Sequence, residues 1–562
     1  MNTAALVTIF CTLTSSWAFP LPDGDNSDTN PGYFKLSARK IYGRNLNDAL
    51  QKRDNNGYLE VDLSNENTFY LTDIEIGTPS QKVGVLVDTG SSDLWVVQSN
   101  NTYCESGTTG PLSKARADII DWSLNTTDLQ NHDNFIGKAT SQSSNLIDCS
   151  QYGTFDPTDS ETFQSNDTSF AITYADSTFA KGTWGRDDVV INGVNVTDLS
   201  LAVCDDADNA MGILGIGLAG FETTYSGSSS LSSLFSSSDR YTYENLPLRL
   251  KSLGIIKHTC YSVYLDEADS KNANILFGAI DHSKYTGNIV ALPIVNSLKS
   301  KNYDTAIQLD VTLNSVTLID SKSKTEATLG NGAAAALLDT GTTLTYVPTN
   351  LLKAIYNLVD AQYSQSIGYY VVKCNAVDNM TLDFNFQGFD INIPFSSFLV
   401  SLSTTSGSTS QYCMLGLQDS QSTTFTLGDN FLRNVYMIAD YENMEIGLAV
   451  ANHSASNEDI QVVSTGIPNA NQPVSSLEYG KSVTTLVVQS TIVTSSIPSS
   501  QSLSTAQTIP VSTTKDNKAS DESSISTDAR TVSSIPSSTH NYAARNEVGV
   551  MAGVFAVLAA LL

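Results

Sequence analysis

Basic residues are scarce in this chain: Lys and Arg number 30 against 58 Asp and Glu in 562 residues, a formal net charge of −28. Such a balance is repelled by phosphate backbones, which argues against nucleic acid and for solubility or cationic partners. Histidine is scarcer still, five residues (His132, His258, His282, His453, His540) that stand apart. None lies in an HExxH pattern or in a Cys/His cluster with metal spacing, and no GxSxG elbow or phosphate loop occurs. The histidines are therefore expected at the surface, and the chain calls for no metal and no cofactor. Long apolar runs are missing too: the terminal run 548–562 falls short of the roughly 20 residues a spanning helix needs.

What is present is apolar material enough for a sizeable core, 41% of the chain, and one device used twice. Val85-Leu86-Val87 leads into Asp88-Thr89-Gly90-Ser91-Ser92-Asp93, and Leu94-Trp95-Val96-Val97 leaves it. A continuous β-branched run marks a buried strand and glycine a tight turn, so the segment delivers the Asp88 carboxylate to a loop tip. The device recurs 251 residues later as Ala336-Leu337-Leu338-Asp339-Thr340-Gly341-Thr342-Thr343-Leu344. One Asp-Thr-Gly is an ordinary turn sequence. Two copies, each behind apolar residues, ahead of two hydroxyl residues and a Leu, and about a domain length apart, are read as a single site. Carboxylates within hydrogen-bonding reach repel, so one keeps its proton while the other ionises. The ionised partner takes a proton from a water between them, the water attacks an amide carbonyl, and the protonated partner donates to the oxyanion. The neighbouring Thr and Ser hydroxyls are expected to bond the carboxylates and hold them coplanar.

These motifs resemble those of the pepsin-type aspartic endopeptidases, and among them the fungal yapsins, over residues 69–450. Ile172-Thr173-Tyr174-Ala175-Asp176 is similar to the family's flap hairpin, although Ala175 stands where the family has Gly. Gly212-Ile213-Leu214-Gly215-Ile216-Gly217 and Thr426-Leu427-Gly428-Asp429 are similar to its paired apolar-apolar-Gly segments, one after each Asp-Thr-Gly. The resemblance implies a mostly β, bilobal fold with the active-site cleft between two related β lobes, and protein or peptide substrates. It implies catalytic roles for Asp88 and Asp339, a flap tyrosine in Tyr174, and a tryptophan, Trp95, hydrogen-bonded to it. Gly90, Ser91, Gly341 and Thr342 would flank the carboxylates at the substrate site. Asp176 would overhang the subsite before the scissile bond and favour a cation, hence cleavage beside Lys or Arg. A water-exposed Asp176 with broad apolar specificity is the alternative.

In chain order, an apolar stretch at residues 4–13 and the small-x-small Ser16-Trp17-Ala18 read as a signal peptide over 1–18, without the usual charged start. Residues 19–53 end in Lys52-Arg53 and read as a propeptide whose Phe34-Lys35-Leu36 and Arg39-Lys40 would fill an acidic cleft; an arm that stays attached is the alternative. An N-terminal lobe over 54–260, carrying an inserted polar loop at 105–148, and a C-terminal lobe over 261–451 follow. Ile275-Leu276-Phe277-Gly278, residues 436–441 and Ile446-Gly447-Leu448-Ala449 read as strands, and residues 350–362 as a helix. After Asn452 the Ser- and Thr-rich composition predicts an O-glycosylated stalk to 547, or a plain linker, with no packed core. The tail 548–562 fits a glycosylphosphatidylinositol anchor signal with attachment at Asn541, which would place the protein at the outer face of the plasma membrane or in a cell wall.

Six cysteines remain once Cys11 leaves with the signal, an even number suited to an oxidising compartment. Their connectivity is open from sequence. The resemblance implies that Cys104 and Cys149 clip the insertion, giving a monomer or a nicked two-chain form, and that Cys374 pairs with Cys413. Cys204 and Cys260 are left to each other by elimination. Sequons at Asn100, Asn125, Asn166, Asn195, Asn379 and Asn452 fit passage through the secretory pathway. A wall-structural binding protein with a degenerate cleft would also explain stalk and anchor, but both Asp-Thr-Gly motifs are intact.

Overall fold

In the strand Gln81–Asp88 every position from 83 onward is buried, as its apolar run requires. It pairs antiparallel with Thr68–Ile76 on one side and parallel with Gly212–Gly215 on the other. The second lobe repeats the arrangement, the long strand Thr325–Leu338 ending beside Phe425–Leu427 in parallel register. In each lobe the strand leaving the Asp-Thr-Gly loop returns antiparallel to that partner, Leu94 opposite Leu214 and Tyr346 opposite Thr426. Loops cross between these strands, so the two carboxylates emerge at equivalent loop tips.

The computed structural model describes residues 30–42, 68–104, 147–174, 178–224, 241–403, 409–487, 491–494 and 507–508, except 302, 366, 456 and 482–485. The signal peptide, the Lys52-Arg53 pair, almost all of the 105–148 insertion, Asn125, Asp176, Asn541 and the 548–562 tail lie outside the described residues. From Gly32 onward the described chain is one compact unit, mostly β, as expected. A 13-stranded sheet and a 9-stranded sheet carry most of it. Tight turns set the hairpin registers: Asn192-Gly193, both at positive φ, joins Phe179–Ile191 to Val194–Ala207, and Gln387-Gly388 does the same for Met380–Phe386 and Phe389–Pro394. The three segments expected as strands in the second lobe lie in Asn272–Phe277, Val435–Asp440 and Glu445–Ala451. The helix runs over Thr349–Leu358, burying Leu351, Leu352, Ile355 and Tyr356 on one stripe.

Three expectations are corrected. Phe34–Tyr42 does not fill a cleft: it is a strand between Asn272–Phe277 and Thr68–Ile76, the seam at which the strands of the two lobes meet. Alternation explains this, since Phe34, Leu36 and Ala38 face the core while Arg39 reaches Asp73 at 2.6 Å and Lys40 reaches the Ala268 carbonyl at 3.1 Å. Nor does the fold stop near residue 451. Ile460–Val462 pairs with Ala279–Asp281, Asn471 exchanges backbone hydrogen bonds with Ile289 and Ala291, Val487 with Asn331, and Thr491–Thr494 pairs with Thr325–Thr328. Isolated apolar residues anchor this strap, Val463 fully buried and Leu486 packed on the core, and its backbone satisfies strand edges of the second lobe. Finally, His258 is buried, its Nε2 2.7 Å from Asp440 Oδ1.

Candidate active site

The two Asp-Thr-Gly loops meet. Asp88 and Asp339 are both buried, with the Asp339 carboxyl against Gly90 and the Asp88 carboxyl against Gly341, so the two acids face each other at close range. Each sits in the same cradle. Asp88 Oδ1 accepts from Gly90 N at 2.8 Å and Asp339 Oδ1 from Gly341 N at 2.9 Å. On the outer oxygens, Ser91 Oγ donates to Asp88 Oδ2 and Thr342 Oγ1 to Asp339 Oδ2, the latter at 2.6 Å. Four donors, two per carboxyl, fix the pair in orientation. Ser91 and Thr342 thus hold the carboxyls as expected, and Gly90 and Gly341 serve them through their amides.

Thr89 and Thr340 do something else. Neither hydroxyl touches a carboxyl. Thr89 Oγ1 donates to Leu338 O (2.9 Å) and accepts from Thr340 N (2.9 Å), while Thr340 Oγ1 donates to Val87 O (3.0 Å) and accepts from Thr89 N (3.1 Å). Each loop therefore grips the backbone of the other, in a buried setting where such bonds are costly to lose. The signal was in the sequence, the same Thr at the same place in both copies, but only the fold shows that it faces its counterpart.

Behind the loops, Ile216 N donates to Asp88 O at 2.8 Å and Asp339 N to Leu427 O at 3.1 Å, so the apolar-apolar-Gly segments brace Asp88 and Asp339 directly. Glycine is required there: a Cβ on Gly215 would lie 2.5 Å from Asp93 N. Tyr70, from the strand before the first motif, donates to Asp429 of the second segment, a link between lobes that sequence reasoning missed.

Burial is the first cause, and the adjacent Asp88 carboxyl the second, that push the Asp339 carboxyl well above the usual carboxylate range. Two carboxyls so placed titrate as a pair, and the pair holds one proton between them where the second ionisation is opposed. With one carboxyl as base and the other as acid, the pair can deprotonate a water and protonate the oxyanion formed from an amide carbonyl, then return the proton to the leaving amine.

Tyr174, at the end of Gln164–Thr173, accepts a 2.7 Å hydrogen bond from Trp95 Nε1. Desolvation pushes its phenol well above the ordinary value, so it stays neutral. Tyr174→Phe leaves the buried Trp95 donor without its acceptor, at a cost of about 1–3 kcal/mol. Expressed in hairpin placement over substrate, that is a loss of kcat/KM of roughly 10- to 100-fold. Steady-state kinetics at acidic pH, with the melting temperature as a check on folding, measures it.

Cys104–Cys149 and Cys374–Cys413 are bonded, with Cα separations of 5.4 and 5.1 Å. The expected Cys204–Cys260 bond is corrected: both are free and buried. They lie in different hydrophobic clusters, Cys204 with Trp95 and Trp184, Cys260 with Tyr264 and Tyr436. Burial raises both thiols, which behave as small apolar side chains. Of the sequons, Asn100, Asn166, Asn195 and Asn379 are exposed, whereas the Asn452 amide donates to Ser283 O at 2.9 Å.

Comparison with known proteins agrees with this geometry. The family described as "Eukaryotic aspartyl protease" matches residues 69–451. Aspartic proteinase 3 of Saccharomyces cerevisiae is 40% identical over 504 residues, covering 84% of this chain and 86% of that protein. Aspartic proteinase MKC7 of the same yeast is 41% identical over 79% of this chain and 77% of its own length. Secreted aspartic protease 9 of Candida albicans is 34% identical over 78% and 88%. With paired Asp-Thr-Gly loops whose carboxyls meet and a tyrosine hydrogen-bonded to Trp95 already in place, the chain belongs to the pepsin family of aspartic endopeptidases, in the group that contains the yeast yapsins.

Proposed function

We propose that this endopeptidase acts at the end of the secretory pathway, cleaving protein and peptide substrates beside Lys or Arg. The observation that carries the substrate preference is Asp176, two residues along the chain from the flap Tyr174. A carboxylate there, in a chain of net charge −28, favours a basic side chain over an apolar one by about tenfold or more once water is excluded. Two disulfides, four exposed sequons and relatives named as secreted support the compartment. A Ser- and Thr-rich tail ending in a short apolar run supports retention at the cell surface through a lipid anchor attached at Asn541.

Cleavage of a mixed peptide library by the enzyme secreted from its full-length gene, at acidic pH, tests the preference. Products should be dominated by cuts next to Lys or Arg, and Asp176→Asn should lower that preference by about tenfold relative to apolar sites. Equal use of apolar and basic sites, or a preference indifferent to Asp176→Asn, removes the reading.

A further inference from the structure

A knot of buried polar groups sits under the first catalytic loop and takes no part in the chemistry described above. Five residues beyond Asp88, the Asp93 carboxyl accepts from Thr223 N (3.0 Å), Thr223 Oγ1 (2.7 Å) and Tyr243 Oη (2.9 Å). Its backbone carbonyl accepts from Gly215 N at 2.9 Å, so Asp93 ties the loop to its bracing segment as well. Tyr243 N in turn donates to Glu222 Oε2 at 2.8 Å, and its ring packs edge-on against Trp184 with centroids 5.2 Å apart. Glu222 is 4% exposed, and its Oε1 is buried with no hydrogen-bond partner among the described residues.

A carboxylate in that position would be half-solvated at best. Among the described residues, the titratable groups that act on Glu222 are Asp93, from the catalytic loop, and Tyr243; neither is a cation. Arg249, beside Tyr243 and Glu244 at the rim of the same region, is spent on Glu244 at 3.1 Å and on the Thr197 carbonyl at 2.9 Å. Among the described residues nothing would compensate an ionised Glu222, a buried charge next to a second acid, which a fold relieves by opening.

We infer that Glu222 is a positioning residue for the catalytic loop, holding it through Tyr243 and Asp93 only while it keeps its proton, and that its ionisation sets the neutral-side limit of the enzyme's activity. Desolvation pushes Glu222 up to about 9 and Asp93 up to about 6. Both folded values stand above the unfolded ones. Stability from this knot is therefore complete below about pH 4, and is lost as pH rises through 6 for Asp93 and on toward 9 for Glu222. Across that window opening releases a proton, so each such group makes the open state up to about tenfold more populated per pH unit.

Glu222→Gln tests this in the full-length secreted enzyme, because the amide keeps the acceptor for Tyr243 N and cannot ionise. The ratio of kcat/KM at pH 7 to that at pH 4 should rise at least about tenfold over the parent, and the fall in melting temperature between those pH values should shrink. Glu222→Asp, which still titrates, should not extend the neutral limb, and Glu244→Gln, at the exposed neighbour, should leave the ratio where it was. A Glu222→Gln profile superposed on the parent's overturns the inference. Failure of that variant to be secreted in active form overturns it equally, since the amide reproduces the charge state that the inference requires.

Discussion

Asp88→Asn and Asp339→Asn each abolish peptide hydrolysis, by on the order of 10³- to 10⁴-fold or more in kcat at acidic pH, with little change in melting temperature. The asymmetry between activity and stability follows from the cradle. An Asn at 88 can turn its oxygen toward Gly90 N and its amide toward Ser91 Oγ, whose hydroxyl rotates to accept instead of donate. The same exchange serves position 339 with Gly341 and Thr342. What an amide cannot do is take up or release the proton that the pair shares. In Asp88→Asn the neighbouring charge that helps raise Asp339 also disappears, leaving burial as the main cause. Either variant retaining more than a few per cent of the parent rate, measured with active-site titration, would contradict the two-carboxyl mechanism.

Thr89→Val has the second-largest expected effect, and it falls on stability first. The substitution removes the donor to Leu338 O and the acceptor for Thr340 N, leaving two buried backbone groups unpaired across the line where the loops meet. At about 1–3 kcal/mol each, the loss is roughly 2–6 kcal/mol, and for a body of this size a fall in melting temperature of about 2–8 °C is expected. Activity falls with it, because the loops that present Asp88 and Asp339 are then fastened by half the original bonds. Thr89→Ser, which keeps the hydroxyl, should recover most of the stability. A calorimetric scan of the three proteins decides the matter, and equal melting temperatures for Val and Thr at 89 would show that the grip contributes nothing.

The chemistry was legible in the sequence because it is local. Each catalytic strand announces itself as a run of apolar residues ended by Asp-Thr-Gly, and the hydroxyls at 91 and 342 sit three residues from the acids they bond. Trp95 and Tyr174, 79 residues apart, came from resemblance alone, since nothing in periodicity joins them. What escaped was long-range. The mutual bonds of Thr89 and Thr340, the reach of Tyr70 to Asp429, and the Asp93–Tyr243–Glu222 knot depend on how strands far apart in sequence are laid side by side. Composition misled twice. It marked residues after 452 as incapable of packing, although strand edges need backbone partners more than apolar side chains, and it set Cys204 and Cys260 together by parity when each is an apolar filler of its own cluster.

The strap also changes a length. Similarity to the family ends at residue 451, yet the chain is still laid against the second lobe at Thr491–Thr494. Every residue committed in this way removes up to about 3.3–3.6 Å from the span available to the remaining tail. Were the C terminus anchored as proposed above, the catalytic body would be held nearer to that anchor than a count from the family boundary suggests, and the substrates within its radius would be those close to the anchoring surface.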